Sequence, residues 1–274
     1  MRTRVTSGTA LVIFLAAIVL FNSSFPLALN MAIALVSVLA DYEIISALGV
    51  AKNYALLIPS LLFSAVLPFI TDPLLCQAAY FLYTLVIFSS LIFYHSVMTF
   101  REIGVIYSMS LMIPTALATI IGLRSVGGTH GMFYVIIGIF SAWVADVGAY
   151  FAGSFLGKHK LCPNISPKKT VEGAIGGLIL NVAAMLVFGY IFQVVYYARS
   201  VTVSYVSLLI IGIVGTGISI LGDLSFSLIK RSCHIKDFSE IIPGHGGILD
   251  RFDSVIFEAP FVYFLVQILP IVVK

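Results

Sequence analysis

The chain has 274 residues, 60% of them hydrophobic and only 10% charged, with a net charge of +3 and a mean hydropathy of +1.11. Soluble domains carry about 25% charged residues, so a water-soluble fold is excluded and no nucleic-acid partner is expected. Cys76, Cys162 and Cys233 are far apart and form no CxxC pair, which supports neither a structural zinc nor a disulfide framework.

Apolar runs suited to a hydrocarbon core of about 30 Å at 1.5 Å per residue occur at nine places: residues 9–22, 26–40, 54–71, 75–95, 104–123, 131–156, 173–197, 202–229 and 254–273. The first two are short and separated only by Asn22-Ser23-Ser24-Phe25, as a tight hairpin or one interrupted helix. Met1-Arg2-Thr3-Arg4 ahead of an apolar run superficially resembles a signal peptide. No small-x-small site followed by a soluble domain comes after it, so a retained span is expected. The expected fold is an all-α integral membrane protein of about nine transmembrane helices. Residues 1–125 hold the first five and residues 126–274 hold the other four together with the catalytic region.

With nine spans and a cytoplasmic N-terminus, twelve of the fifteen Lys and Arg residues fall inside; only Arg124, Arg199 and Lys274 fall outside. That is the bias of the positive-inside rule. Fusing the first two spans moves only Arg2 and Arg4. Of the acids, Asp72 alone lies outside, so a polar site opening to the cytoplasmic side is expected.

The densest polar stretch is Ser227 to Asp253, holding Lys230, Arg231, Lys236, Asp237, Glu240, His245, Asp250, Arg251 and a Pro243-Gly244-x-Gly246-Gly247 turn between two apolar runs. Charge beside hydrocarbon is costly and tends to mark function. Cations, aspartates and glycines that admit backbone N–H groups suit a polyanion and its divalent metal. Asp223, Ser227 and Lys230 are spaced four and three apart and share a helix face. Asp223, inside the apolar end of a span, needs a partner that a metal supplies, and Asp250 after the turn is the second expected ligand. Asp253 complements a helix N-terminus, and Glu258 is read as a satisfied intramembrane carboxylate. Gly212, Gly215, Gly217 and Gly222 are read as sites of close helix approach.

A second cluster follows the 131–156 run. Lys158, His159 and Lys160 precede Ser166-Pro167-Lys168-Lys169-Thr170, where Ser166 as N-cap and Pro167 predict a helix start whose free N–H groups join Lys168 and Lys169 in an anion site. Asp146, one turn before Tyr150, is a third acid, placed to hold a metal ligand in position or to contact substrate. His95, His130 and His159 stand isolated and read as interfacial or packing residues. No GxSxG, Walker A, HExxH or Ser/His/Asp arrangement occurs, which leaves metal-assisted phosphoryl or nucleotidyl transfer.

The run Ser227-x-Ile229-Lys230-Arg231-x4-Lys236-Asp237-x-Ser239-x2-Ile242-Pro243-x-His245-Gly246-Gly247-Ile248-x-Asp250-Arg251-Phe252-Asp253 resembles the signature of phosphatidate cytidylyltransferases (CDP-diacylglycerol synthases). Asp146-x3-Tyr150-x2-Gly153-x3-Gly157 and the segment Ser166 to Gly173 extend the likeness over roughly residues 140–260. The first hundred residues add only a similar hydropathy and a match at Glu43. The resemblance implies CTP and phosphatidate as substrates, CDP-diacylglycerol and pyrophosphate as products, Mg2+ with room for a second cation, a homodimer, and an inner (plasma) membrane location. On it Asp223, Asp250, Lys230 and Arg231 are catalytic, with Asp223 and Asp250 on the metal. Lys168, Lys169, Ser227, Lys236, Asp237, His245, Gly246, Gly247, Arg251 and Asp146 bind substrate. A CTP-dependent lipid kinase of the polyprenol type is the alternative, and a membrane transporter the alternative of another class.

Overall fold

The computed structural model describes residues 18, 24–96, 99–242, 244 and 246–273; the expected span 9–22 lies almost wholly outside them, as do Pro243 and His245. Among the described residues, six helical segments are long and apolar enough to cross a membrane: Leu27–Ala47, Pro73–Phe93, Phe100–Val126, Gly128–Leu156, Val171–Tyr196 and Tyr205–Ser232. Tyr54–Phe69 is apolar but shorter. A further helix, Leu249–Ile268, is 20 residues long and carries Asp250, Arg251, Asp253 and Glu258. Two short antiparallel strand pairs complete the secondary structure. Large apolar side chains face outward, as Phe93 (79% exposed) and Phe155 (81%) do, which suits a surface wetted by lipid rather than water.

The residues divide into two compact units, 1–118 with 232–251, and 119–231 with 252–274. The first contains α1 (Leu27–Ala47), α2 (Tyr54–Val66), α3 (Pro73–Phe93) and most of α4 (Phe100–Val126). Local chemistry sets the helix starts. Asn53 Oδ1 accepts from Ala55 N at 3.1 Å, and Asp72 Oδ1 accepts from Leu75 N at 2.9 Å, with Pro73 in the first helical position. Thr99 and Glu102 form a reciprocal capping box, at 2.8 and 3.3 Å. Pro59 inside α2 has no N–H to give to the Ala55 carbonyl, and Ser90 Oγ of α3 donates to that oxygen at 3.2 Å. Lipid offers no partner for such a group, so a neighbouring helix must. Ile44, Ile45, Leu56, Ile87, Ile103, Ile106 and Ile113 are fully buried in this unit.

The second unit contains α5 (Gly131–Leu156), a hairpin of β1 (Lys160–Cys162) and β2 (Ser166–Thr170), α6 (Val171–Tyr190), and β3 (Thr202–Val203). Then come α7 (Tyr205–Ile210), α8 (Thr216–Ser232), most of α9 (Leu249–Ile268) and β4 (Val272–Val273), which pairs with β3. Ile191–Tyr196 and Ile211–Gly215 are π-helical, the latter joining α7 to α8. The helices α5 and α6 touch through glycines: a Cβ on Gly148 would lie 3.0 Å from the Gly177 Cα, and one on Gly173 would lie 3.3 Å from the Gly153 Cα. Of the four glycines expected to admit neighbouring helices, three do. A Cβ on Gly212 would meet Val182 Cα at 2.9 Å, on Gly215 the Glu258 carboxylate at 2.5 Å, and on Gly222 the Asp253 carbonyl at 2.8 Å. Gly217 is the exception, with open space beside it.

Candidate functional site

In the second unit β2, α5, α8 and α9 bring cations, carboxylates and hydroxyls together. Ser227 Oγ donates to Asp223 Oδ1 at 3.2 Å, as expected of one helix face. Lys169 Nζ lies 2.6 Å from Asp223 Oδ2, with side chains 20% and 27% exposed, and also reaches the Ile220 carbonyl at 3.5 Å. Asp146 accepts from Ser254 Oγ through Oδ2 at 2.8 Å and from Ser219 Oγ through Oδ1 at 3.5 Å. Asp253 is buried, its Oδ1 accepting from Ser254 N at 2.8 Å. The charges of Asp223, Asp146 and Lys230 all bear on it, so it belongs to the same constellation. Lys230 is 8% exposed, while Arg231 and Lys168 are exposed.

Two expectations in this unit are overturned. The helix start expected at Ser166-Pro167 does not form: Ser166–Thr170 is strand β2, paired with β1 as Lys160↔Thr170 and Cys162↔Ser166. The helix begins at Val171, where Thr170 Oγ1 accepts from Gly173 N at 3.1 Å and Glu172 occupies the first turn. A cap and an acid therefore occupy that end. Proline is tolerated at a strand edge as readily as in a first helical turn, so the Ser-Pro signal did not discriminate. The hairpin instead alternates its lysines, Lys168 outward and Lys169 toward Asp223. Nor is His159 isolated, since its Nδ1 lies 2.6 Å from Glu172 Oε1 and its backbone N donates to the same carboxylate at 3.2 Å. His130 is a packing residue as expected, its Nδ1 2.8 Å from Tyr197 Oη.

Glu258, expected as a satisfied intramembrane carboxylate, is 0% exposed, with Ser141 as its hydroxyl neighbour. Ser141 Oγ accepts from Asn181 Nδ2 at 3.0 Å, which leaves its O–H to give to the carboxylate.

The first unit holds the glycine-rich turn. Asp250, in the first turn of α9, accepts through Oδ2 from Phe238 N at 2.9 Å and Gly247 N at 3.0 Å. It therefore shapes the turn that precedes it. Ile242 N donates to the Gly246 carbonyl at 3.0 Å, closing the loop, and Gly244 and Gly246 sit at φ +79° and +84°, which glycine alone adopts without strain. Lys236, Asp237 and Arg251 are exposed.

The residue that anchors this loop is Glu43 of α1, 1% exposed. Its carboxylate accepts from Ser239 Oγ at 2.5 Å, Ile248 N at 2.9 Å and Leu249 N at 2.8 Å. It so satisfies the open N–H groups at the start of α9 and explains why that helix begins at 249 rather than 254. A Cβ on Gly247 would lie 2.5 Å from Glu43 Oε2. Composition and spacing could not single out Glu43, because its partners lie about two hundred residues away; the family match at that position was the only signal.

The carboxylates of the second unit, Asp146, Asp223 and Asp253, fit Mg2+. Among the described residues no three Asp, Glu, His or Cys side chains form a cage able to hold a metal alone. Mg2+ does not need one: it prefers oxygen ligands, keeps waters, and is held by one or two carboxylates plus substrate phosphates. Asp146, Asp223 and Asp253 act on one another's charges in the second unit, and a bound dication offsets such repulsion.

A family model described as the cytidylyltransferase family matches residues 2–269. Phosphatidate cytidylyltransferases are among the relatives. The protein from Bacillus subtilis (strain 168) is 42% identical over 170 residues, 62% of this chain and 60% of its own length. That of Haemophilus influenzae is 42% identical over 135 residues, 48% of this chain and 45% of its own. That of Synechocystis is 44% identical over 142 residues, 52% and 46%. The chain thus spans about half to three-fifths of the curated relatives it matches. A match over nearly the whole chain settles the grouping: this chain belongs to the cytidylyltransferase family.

Proposed function

We propose that the protein transfers CMP from CTP to phosphatidate, giving CDP-diacylglycerol and pyrophosphate in phospholipid biosynthesis. The observation that carries this reading is Lys169 held on Asp223, beside Asp146, Asp253 and the nearly buried Lys230. Cations set among carboxylates at a lipid-facing helical unit suit a reaction between two anions. A phosphate oxygen of phosphatidate attacks the α-phosphorus of CTP, one P–O bond forms, and the bond to the β-phosphate oxygen breaks as pyrophosphate leaves. The lipid phosphate is ionised near neutral pH and needs no strong base. The barrier is largely electrostatic, and Lys168, Lys169, Lys230, Arg231 and Arg251 lower it by binding phosphate oxygens. Asp223 and Asp250 are the proposed Mg2+ ligands; the ion, when bound, supplies neutralisation of the triphosphate. Ser227, Lys236, Asp237, His245, Gly246 and Gly247 are proposed to contact substrate, with the catalytic region in 126–274 and Glu43 contributed from 1–125.

We further propose nine spans, the polar groups toward the cytoplasm, an inner (plasma) membrane location, and a homodimer. The charge sorting and the bacterial relatives support the orientation and the membrane. The test of the reaction is incubation of purified protein with labelled CTP, phosphatidate and Mg2+, identifying both products. Pyrophosphate and a CDP-lipid support the proposal; CDP and a newly phosphorylated lipid would replace it with a lipid kinase.

A further inference from the structure

The first unit contains a second buried acid that the proposed reaction does not use. Asp41 lies on α1 two residues before Glu43, a spacing that turns it to a different face of the helix. It is 0% exposed, as are Ser37, Ser64 and Ser110. Ser37 precedes it by one helical turn and shares its face. Ser64 Oγ of α2 donates to Asp41 Oδ2. Ser110 of α4 and Tyr83 of α3 interact with Asp41 and with each other. Tyr83 Oη is itself occupied, 3.0 Å from Ser60 Oγ.

The remaining oxygens are not. Asp41 Oδ1 and Ser37 Oγ are buried without a hydrogen-bond partner, and Ser110 Oγ has none beyond its interactions with Asp41 and Tyr83. Such buried oxygens are costly to leave unsatisfied, and helix packing alone does not explain them. A serine in a membrane helix ordinarily bonds back to the carbonyl four residues earlier, as Ser60 does to Leu56 at 2.9 Å. Ser37 and Ser110 do not. Pro114, one turn beyond Ser110, also lacks the N–H that would bond the Ser110 carbonyl. The cluster is made of oxygens only and carries a single carboxylate. With a cation beside it to keep Asp41 ionised, one negative charge among neutral hydroxyls matches one positive charge. Mg2+ would have to give up its waters, and Ca2+ would need more ligands and charge.

We propose that Asp41, Ser37, Ser64 and Ser110 hold a dehydrated monovalent alkali cation that clamps α1 to α2 and α4. This site uses none of the proposed Mg2+ ligands and does not rest on the reaction assigned above. It fixes the helix that carries Glu43, so its role is to stiffen the scaffold of the glycine-rich loop.

The test is thermal unfolding of the purified, full-length protein in detergent with NaCl, KCl or choline chloride at constant ionic strength. Na+ or K+ should raise Tm saturably, by on the order of 5 °C, whereas choline should not. Asp41→Asn should remove the response and Ser110→Ala should weaken the midpoint by about tenfold, while Asp223→Asn should keep it. If Asp41→Asn does not fold, direct 22Na+ binding to the wild type and to Ser37→Ala and Ser110→Ala decides the matter. Equal Tm in all three salts, no bound 22Na+, or a full response in Asp41→Asn or Ser110→Ala would each overturn the proposal, the first leaving a protonated, neutral Asp41 as the explanation.

Discussion

Replacing Glu43 tests whether the glycine-rich loop is held from α1. The wild-type carboxylate accepts three hydrogen bonds, at 2.5, 2.9 and 2.8 Å. Glu43→Gln keeps the shape and one acceptor oxygen but turns an amide N–H2 toward donors. At least one donor is then unsatisfied, and Leu249 is fully buried, so the cost is about 1–3 kcal/mol. Glu43→Ala removes every acceptor and, for three donors, costs about 3–9 kcal/mol. This cost falls on the placement of residues 239–249, not on the cores of the helical units. At about 1.4 kcal/mol per tenfold, Glu43→Gln should lower kcat/KM for CTP by about 10–100-fold. The assay is release of pyrophosphate with phosphatidate vesicles, run beside thermal unfolding of the same preparations. Glu43→Asp, which keeps the charge on a shorter arm, should recover part of the loss. Wild-type kcat/KM in Glu43→Gln at unchanged Tm would refute the anchoring role. A collapse of Tm that accounts for all lost activity would refute the claim that the cost is local.

Asp223→Asn and Asp250→Asn should each abolish turnover in folded protein, and substantial activity at saturating Mg2+ in either variant would remove that residue from the proposed metal ligands. Gly247→Ala puts a methyl group where the Glu43 carboxylate lies, 2.5 Å away, and should lower activity by about tenfold or more, measured by the same pyrophosphate assay. Lys169→Met unpairs Asp223 and should cost far more activity than Lys168→Met, whose side chain is exposed; equal losses would show that the hairpin serves only as a membrane anchor. In a cysteine-free background, Ser200→Cys should react with an impermeant maleimide added outside intact cells, and Cys162 alone only after the membrane is opened. Cys233 is the poorer reporter, because burial pushes its thiol above the ordinary range and reduces the reactive thiolate. Outside labelling of Cys162 would invert the proposed topology.

Hydropathy alone located several of the helices among the described residues, because a span's length and apolarity are local properties fixed by the thickness of the hydrocarbon. The run expected at 131–156 coincides with α5, and those at 75–95 and 104–123 differ from α3 and α4 by a few residues at each end. The shared face of Asp223 and Ser227 was equally legible, since it follows from helical periodicity. What the sequence left undecided was every choice between non-local partners. Ser166-Pro167 is compatible with a helix start and with a strand, and pairing with Lys160–Cys162 selected the strand. Lys169 meeting Asp223, and Glu43 reaching Ser239, Ile248 and Leu249, join residues far apart along the chain. No period or cap records such contacts. In lipid a buried polar group must find its partner within the protein, and only the packing of the helices determines which partner that is.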